Sequence, residues 1–424
     1  MFNERFKAIR QASGKTQKEL AEFLNISPQS VSKWEKGEAL PSIEYLPLMA
    51  KFFGCSINVF FEEVYENTLS DKITEEIHVS IGVEEIKERI ISAFSELKLN
   101  VEIVKVYEGV RVITFTCTAR GRTQLKQVFN RYKEISTVVD DKMIMRGKDD
   151  ENKTFVIEIT KKQFDKVTLT KALESDEYKA SGCRMPIVIG YDTNDDLLID
   201  DLATAPHILI GGDVHSGKTT FLRSLLTCLT SRFTKDELGI VVCDMSKSEL
   251  LYANEYPHLV GEVLTSVDET EKALKCLREE MASRYAALEA FGMPNIVRYN
   301  EASRNKMKRL VVVVDELIDL LVYSDKIPEM LSEISMKGSQ VGIHLVIATK
   351  HNHNKLEAIK IGIPTTVTFF TADRPSDHSV AGASMARSLC GCGDLIYCGS
   401  ENWCVRAQAP YIDAQEALEL TKVQ

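Results

Sequence analysis

The chain has 424 residues, of which 44% are hydrophobic and 27% are charged, and its formal net charge is −10 at pH 7. These values are those of an ordinary globular protein with two or three domains, and the acidic balance excludes a wholly basic nucleic-acid coat. No stretch approaches roughly 18 uncharged apolar residues, and the N-terminus lacks signal-peptide features, so we expect no membrane span and a cytoplasmic location. The ten cysteines are scattered singly, which predicts thiols rather than disulfides.

Two short helices joined by a tight turn are the first predicted elements. Thr16 is a suitable cap for a helix whose apolar spacing runs to Leu24. Pro28 suits the start of a second helix, and Gly37 suits its end. This arrangement indicates a helix-turn-helix unit. Residues 1–40 carry seven Lys/Arg and five Asp/Glu, so the unit is locally positive although the whole chain is acidic.

The same segment contains Thr-Gln-x-Glu-Leu-Ala from Thr16, Ile-Ser from Ile26 and Val-Ser-x-Trp-Glu-x-Gly from Val31. These motifs resemble the Cro/C1 (XRE-type) repressor family over residues 3–61, which implies an all-α DNA-binding domain, assigned here to residues 1–66. The second helix of that family enters the major groove. The residues that the resemblance places nearest DNA are Gln17, Gln29, Ser30 and Lys33. Gln can pair with adenine, and Lys can reach guanine or a phosphate. The alternative is a helix-turn-helix used only for protein contacts.

The next two segments carry no visible chemistry. Residues 67–82 are polar and predict a linker, and residues 83–180 predict an α/β accessory module. Apolar periodicity predicts helices at 83–99 and 122–132 and strands at 101–106, 110–115 and 155–159.

A complete phosphate-binding loop follows. It lies between the apolar run 208–210 and a periodic segment that begins at Phe221, which is the strand–loop–helix context of this motif. Backbone N–H groups of such a loop and the helix N-terminus bind phosphates. Lys218 is predicted to reach the β- and γ-phosphates, and Thr219 to offer its hydroxyl to Mg²⁺. The predicted nucleotide-binding residues of this segment are Gly212, Asp213, Val214, His215, Ser216, Gly217, Lys218, Thr219 and Thr220.

A second apolar run, 310–314, ends in Asp315 and Glu316. Such a run is typical of a buried parallel strand, and ligand groups collect at the carboxyl ends of parallel strands. We expect Asp315 to support Mg²⁺ and Glu316 to act as general base on the attacking water. With Lys218, these residues form the predicted catalytic set of an ATPase that uses ATP and Mg²⁺.

Further motif segments occur in a fixed order. They are residues 156–159, 187–190, 201–211, 281–285, 299–300, 315–320, 342–349, 363–365 and 391–397. From about residue 85 onward the chain thereby resembles the motor of the FtsK/SpoIIIE family of DNA translocases. The resemblance implies a RecA-like P-loop α/β motor domain, residues 181–424, that forms a hexameric ring around double-stranded DNA. Shorter proteins of this kind in mobile elements resemble coupling or replication-associated translocases, which implies a relaxase or replication partner.

Three positions depart from the family pattern. Lys350 stands where the family has a Gln near the γ-phosphate or the lytic water, and Ser339 stands where it often has Arg. Residues 373–379 keep only Arg374 of the family's cations. The resemblance places Thr349, Lys350 and Arg374 at the nucleotide, with Arg374 at a subunit contact. Loss of a trans arginine lowers turnover by orders of magnitude, so these departures leave the activity of the motor open.

The sequence thus predicts a multidomain protein: an all-α helix-turn-helix domain, an α/β accessory module and a RecA-like P-loop motor domain. We interpret it as an ATP-driven DNA translocase targeted by its own helix-turn-helix, serving transfer, replication or segregation of a mobile element. One alternative is an ATP-binding transcriptional regulator whose oligomeric state is set by nucleotide. Another is a protein-export ATPase, since secretion motors share the fold.

Overall fold

The structure is a computed structural model that describes most of the chain. The residues described are 6–7, 9–10, 13, 15–24, 26–37, 41, 45–53, 82–140, 143–161, 164, 166–247, 249–350, 354–372, 386–399 and 404–422. The chain divides into two compact units, residues 1–79 and 80–424, which are treated separately. The predicted linker lies outside the described residues except for Gly82, and the bounds of the four predicted segments stay predictions. None of the described helices is long and apolar enough to cross a membrane.

The first unit contains a small helical domain. The helices whose bounds the structure describes are α1 (Gln17–Phe23), α2 (Pro28–Lys36) and α3 (Tyr45–Phe53). They enclose an apolar core that consists of Phe6, Leu20, Ala21, Leu24, Val31, Trp34 and Met49. Burial of this face stabilises helices that are too short to persist alone in water. The predicted helix-turn-helix is confirmed.

Local capping sets the ends of these helices. The Glu19 backbone N–H donates to Thr16 Oγ1 (3.2 Å), and the Thr16 N–H donates to Glu19 Oε2 (2.7 Å), which together make a capping box. Ser27 caps α2, Pro28 occupies its first turn, and Gly37 ends it with a φ of 76°. The start of α1 and both ends of α2 are therefore set by residues that the sequence makes recognisable.

The second unit begins with the accessory module. Its elements are α4 (Val83–Glu96), β1 (Val101–Glu108), β2 (Val112–Ala119), α5 (Leu125–Asn130), α6 (Tyr132–Val139), β3 (Ile144–Asp149) and β4 (Thr154–Thr160). The strands form an antiparallel sheet in the order β1-β2-β4-β3. The helix predicted at 122–132 corresponds to α5, and the helix α6 that follows it was not predicted. Strand β3 was not predicted, because Arg146 interrupts its apolar pattern in order to pair with Glu158.

The remainder of the second unit is a nine-stranded sheet flanked by helices. Its strands are β5 (Pro186–Asp192), β6 (Leu197–Asp201), β7 (His207–Gly211), β8 (Leu238–Asp244), β9 (Arg309–Asp315), β10 (Ile343–Thr349), β11 (Thr365–Phe369), β12 (Asp394–Cys398) and β13 (Cys404–Gln408). They are ordered β6-β5-β13-β12-β11-β7-β10-β9-β8. The five strands from β11 to β8 are mutually parallel, and the other four join antiparallel.

The α-helices of this domain cover both faces of the sheet. They are α7 (Leu169–Glu174), α8 (Asp176–Lys179), α9 (Lys218–Thr230), α10 (Val267–Ala290), α11 (Ile296–Ala302), α12 (Leu317–Tyr323), α13 (Lys326–Lys337), α14 (Leu356–Lys360) and α15 (Ala414–Lys422). Residues Val311 and Val313 of β9 pack into the core on one face, and Val312 and Val314 into the core on the other. Burial on both faces explains why this strand reads as a continuous apolar run.

A buried charged cluster joins the accessory sheet to the large sheet. Arg406 of β13 donates to both oxygens of Asp394 (3.0 and 2.7 Å) and lies 3.6 Å from Glu158 of β4. All three side chains are almost fully buried, and Arg146 also pairs with Glu158. Nearby, Arg111 donates to the Gly391 carbonyl oxygen (3.0 Å). The cluster fixes where the accessory sheet sits on the domain that follows it.

The expectation that all cysteines are thiols is wrong for one pair. Cys398 and Cys404 are opposite each other in the β12–β13 ladder, with their Cα atoms 4.2 Å apart, and they form a disulfide. Chain spacing alone does not show this proximity, because it arises from the antiparallel pairing. The other described cysteines are free, and no group of three or more metal-ligating side chains occurs among the described residues.

Candidate nucleotide-binding site

The loop between β7 and α9 is shaped by two glycines with positive φ. Gly212 has a φ of 149°, and a Cβ there would lie 2.7 Å from Phe369 Cβ. Gly217 has a φ of 119°, and a Cβ there would lie 2.9 Å from the backbone nitrogen of Gly393. Any side chain at either position would clash and strain the backbone. The loop is thus held tightly around the N-terminus of α9, where phosphate binding is favoured.

Several polar groups of the loop are poised for an anion. The buried Lys218 ammonium donates to the carbonyl oxygens of Gly212 (2.7 Å) and Asp213 (2.8 Å). The Ser216 hydroxyl is buried and has no hydrogen-bond partner among the described residues. A buried hydroxyl that lacks a hydrogen-bond partner is suited to donate a hydrogen bond to a ligand oxygen. Of the other predicted positions, Val214 and His215 are exposed, and Thr219 and Thr220 are half-buried.

The carboxyl ends of four parallel strands meet at this loop. Thr349 of β10 lies opposite Gly211 of β7, and Asp244 of β8 lies opposite Asp315 of β9. The Thr219 hydroxyl donates to Asp315 Oδ2 at 3.3 Å. The Thr219 hydroxyl and the Asp244 and Asp315 carboxylates are hard oxygen donors of the type that Mg²⁺ prefers, so these residues fit this ion. Thr349 itself is fully buried, which places it in the wall of the site.

Burial perturbs the pKa values of the two charged groups at the loop. Desolvation, followed by the neighbouring Asp244 carboxylate, raises the pKa of Asp315 to about 6. Desolvation lowers the pKa of Lys218, against the opposing effects of Glu316 and Asp315. A cation beside Asp315 and an anion beside Lys218 would each relieve these penalties. The electrostatics therefore favour a bound metal–phosphate group.

Glu316 follows β9 in an unusual backbone conformation. Its φ is 63° and its ψ is 68°, in the left-handed region that non-glycine residues rarely adopt. The Lys350 ammonium lies 3.0 Å from Glu316 Oε2, and the Lys350 backbone N–H donates to Oε1 at 3.3 Å. One residue at the end of β10 thus engages both oxygens of the predicted general base.

Family models match both parts of the chain. Residues 168–358 match the FtsK/SpoIIIE family, and residues 6–60 match a helix-turn-helix family. Residues 168–358 form an FtsK/SpoIIIE-family domain. The resemblance inferred from the sequence is thereby confirmed, and so is the presence of the N-terminal helix-turn-helix.

Curated relatives of the FtsK/SpoIIIE domain carry the name DNA translocase FtsK. The protein of Chlorobaculum tepidum is 32% identical over 270 residues, covering 60% of this chain and 34% of its own length. That of Rickettsia typhi is 24% identical over 375 residues, covering 79% of this chain and 50% of its own length. The chain thus spans half or less of the length of these relatives.

Solved structures share the fold of this domain. The conjugation coupling protein TcpA of pCW3, solved as a monomer with ATPγS, has a TM-score of 0.55 and 22% identity, covering 80% of this chain and 99% of that one. The cytoplasmic domain of the Type VII secretion ATPase EccC of Thermomonospora curvata has a TM-score of 0.53 and 21% identity, covering 61% of this chain and 34% of that one. The predicted P-loop α/β architecture is confirmed.

The three departures from the family pattern have different structural settings. Lys350 lies at the site, as described above. Ser339 is half-buried in a short 3-10 turn, Gly338–Val341, that precedes β10 and lies at the opposite end of that strand from Thr349. Arg374 lies outside the described residues.

The predicted DNA-contacting residues of the helix-turn-helix are distributed over α1 and α2. Gln29 and Lys33 are exposed on α2, and Ser30 is half-buried with its hydroxyl 2.9 Å from that of Ser27. Gln17 on α1 is half-buried and donates to Glu35 Oε2 at 2.6 Å. Gln29 and Lys33 are therefore free to reach a ligand, whereas Gln17 must leave Glu35 to do so.

Sequence reasoning missed two parts of the site. Asp244 ends the apolar run Leu238–Asp244 in the same way that Asp315 ends β9, and that repeat is the signal that could have revealed it. The turn at residues 391–393 packs against the phosphate loop, with the Gly393 N–H donating to the Ser216 carbonyl oxygen (3.2 Å). Nothing in the sequence alone places this distant turn beside the loop.

Proposed function

We propose that the FtsK/SpoIIIE domain is an ATPase that drives translocation along double-stranded DNA. The observation that carries the proposal is the convergence of the phosphate loop, Asp315 and Glu316 at one edge of the parallel sheet. The relatives named DNA translocase FtsK support the choice of substrate.

The proposed reaction is attack of water on the γ-phosphorus of ATP. Glu316 accepts the proton of the water as the new phosphorus–oxygen bond forms, and the bond from the γ-phosphorus to the β,γ-bridging oxygen breaks to release ADP and phosphate. Lys218 neutralises charge on the β- and γ-phosphates, and loop N–H groups and the Ser216 hydroxyl orient them. Burial of Lys218 strengthens this interaction because the local dielectric is low.

Mg²⁺, when bound beside Thr219 and Asp315, would screen phosphate charge. Asp315 must be ionised for this, and its raised pKa means that it gains its charge as the pH rises through about 6. Nucleotide binding that depends on Mg²⁺ is therefore expected to strengthen from pH 5 to pH 7.

The helix-turn-helix is proposed to direct this motor to chosen DNA. Gln29 and Lys33 are exposed on α2, where base edges and phosphates could be contacted. Nonspecific phosphate contacts by the motor need no base reading. We further propose a hexameric ring, a cytoplasmic location and a role in transfer, replication or segregation of a mobile element, with a relaxase or replication protein as partner.

Steady-state ATP hydrolysis with and without long linear duplex DNA tests the ATPase proposal. We expect DNA to stimulate turnover, and Glu316→Gln to lower it by at least about a hundredfold, since general-base catalysis contributes roughly 10²–10⁴-fold. An exposed-site variant, Asp319→Asn on α12, serves as a matched acidic control and should retain turnover. Near-zero, DNA-independent turnover of the wild-type chain with intact nucleotide binding would reject the motor.

The regulator alternative has one specific observation in its favour. Lys350 occupies both oxygens of Glu316, which is not the arrangement of a base that is free to bind water. In that alternative, nucleotide would be held without turnover and would set the oligomeric state. Sedimentation with ATPγS or ADP, beside the turnover assay, separates the two: nucleotide-dependent assembly without hydrolysis supports the regulator.

A further inference from the structure

Lys350 and Glu316 form a close ion pair at the edge of the sheet where the nucleotide is proposed to bind. The ammonium-to-Oε2 distance is 3.0 Å, and the side chains of Lys350 and Glu316 are 37% and 11% exposed. A hydrogen bond between two charged groups in a partly buried setting is stronger than a neutral one. While it persists, the carboxylate that should accept a proton from water is turned toward a cation instead.

Lys350 also lies next to the phosphate loop. It directly follows Thr349, which pairs with Gly211 of β7 at the start of the loop that contains Lys218. A phosphate bound at this edge of the sheet attracts any cation within reach. A terminal phosphate bound at Lys218 would therefore also attract Lys350. The lysine side chain has a flexible stem and three donors, so it can change partners without movement of β10.

We propose that Lys350 is a second phosphate-binding cation that exchanges Glu316 for the terminal phosphate when a nucleoside triphosphate binds. Before ATP binds, the Lys350 ammonium is paired with Glu316. When ATP binds, the ammonium pairs with the γ-phosphate instead, and Glu316 becomes available as a base. ADP lacks this phosphate and leaves the ion pair intact. The proposal rests on the proposed function for the identity of the nucleotide, but its test is a measurement of binding rather than turnover.

The test is a double-mutant cycle on the full chain with Mg²⁺. Affinities for ATPγS and for ADP are measured by isothermal titration calorimetry for the wild type, Lys350→Met, Glu316→Gln and the double variant. We expect Lys350→Met to weaken ATPγS about tenfold and to leave ADP unchanged. Glu316→Gln frees Lys350 and should tighten ATPγS about three- to tenfold, and this gain should vanish in the Lys350→Met background. Equal weakening of ATPγS and ADP by Lys350→Met, or an equal Glu316→Gln effect in both backgrounds, would overturn the proposal.

Two further variants keep the cycle interpretable. Lys350→Gln removes the charge but keeps a hydrogen-bond donor, and it should reproduce the loss seen with Met. Lys326→Met removes a lysine whose ion pair with Glu271 (2.7 Å) is of similar length but lies on the exposed side of α13, and it should change neither affinity. ADP binding reports whether each variant is folded. If DNA-stimulated turnover is absent while the cycle gives the expected affinities, the motor is rejected and the lysine exchange stands. If turnover is stimulated by DNA but the cycle does not give the expected affinities, the exchange alone is rejected.

Discussion

The Asp315 carboxylate links the chemistry of the site to the stability of the domain. Its folded-state pKa of about 6 is above the ordinary value of 3.8. A group whose folded pKa is raised contributes stability that is fully present below about pH 4 and is lost as the pH rises through about 6. Without ligand, the ionised carboxylate therefore destabilises the native state at neutral pH.

Asp315→Asn should raise the free energy of unfolding at pH 7.5 by about 1–3 kcal/mol, because it removes a buried charge. At pH 5 the gain should be smaller, since the wild-type carboxyl is then largely protonated. Urea denaturation in the presence of a chelator measures both values. A gain that is equal at the two pH values would contradict the raised pKa, and Asp319→Asn on the exposed face of α12 is the control.

Gly217 tests the geometry of the phosphate loop. A Cβ at this position would lie 2.9 Å from the Gly393 nitrogen, and the φ of 119° is itself unfavourable for other residues. Gly217→Ala should weaken nucleotide binding by at least about tenfold, since the loop and the 391–393 turn must move apart. Gly147→Ala in β3, where a Cβ would meet nothing within 4 Å, should bind normally. Calorimetric titration with ADP compares the two variants.

At the scale of elements, the charged cluster between β4, β12 and β13 fixes the accessory sheet. Arg406→Met would leave Glu158 and Asp394 buried, with Arg146 as the remaining cationic partner of Glu158 among the described residues. Removal of one partner from a buried ion pair costs roughly 3–5 kcal/mol, so we expect a loss of that order in urea denaturation. Arg298→Met, which removes an exposed pair with Glu301, should cost less than about 1 kcal/mol. A small loss for Arg406→Met would show that the two sheets are held by packing instead.

The elements with strong local signals were predictable from the sequence. The Thr16 capping box, Pro28 and Gly37 mark the helix-turn-helix, and the buried run of β9 marks the acidic strand. Contacts between distant segments were not predictable in this way. The Cys398–Cys404 bond depends on strand register, and the packing of Gly393 on the phosphate loop depends on the order of the whole sheet.

The ion pair between Lys350 and Glu316 lies between these two cases. The residue-level departure at Lys350 was visible in the sequence as a cation in place of an amide. Its direct contact with Glu316 was not, because it depends on β9 and β10 being neighbours and on the left-handed backbone at Glu316. Positions of candidate groups are thus suggested by motifs, whereas their partners are set by tertiary structure.

At the scale of the whole molecule, the two compact units allow their roles to be separated. A chain that begins at residue 80 retains the accessory module and the FtsK/SpoIIIE domain. We expect it to bind nucleotide with unchanged affinity and to lose preference among duplex DNA sequences. Competition binding with a pool of randomised duplexes measures that preference for the full chain and the truncated chain. An unchanged preference would place sequence recognition in residues 80–424, and Lys33→Ala in the full chain tests α2 without truncation.

The left-handed backbone at Glu316 carries an evolutionary consequence. Such a conformation costs a non-glycine residue of order 1 kcal/mol, whereas glycine adopts it freely. Selection for thermostability alone would therefore remove glutamate from this position, and only selection for hydrolysis opposes that drift. Lineages that have abandoned turnover are expected to accumulate Gly or Asn here while they keep the phosphate loop. The identity of this single position would then sort hydrolysing members of the family from those that merely hold nucleotide.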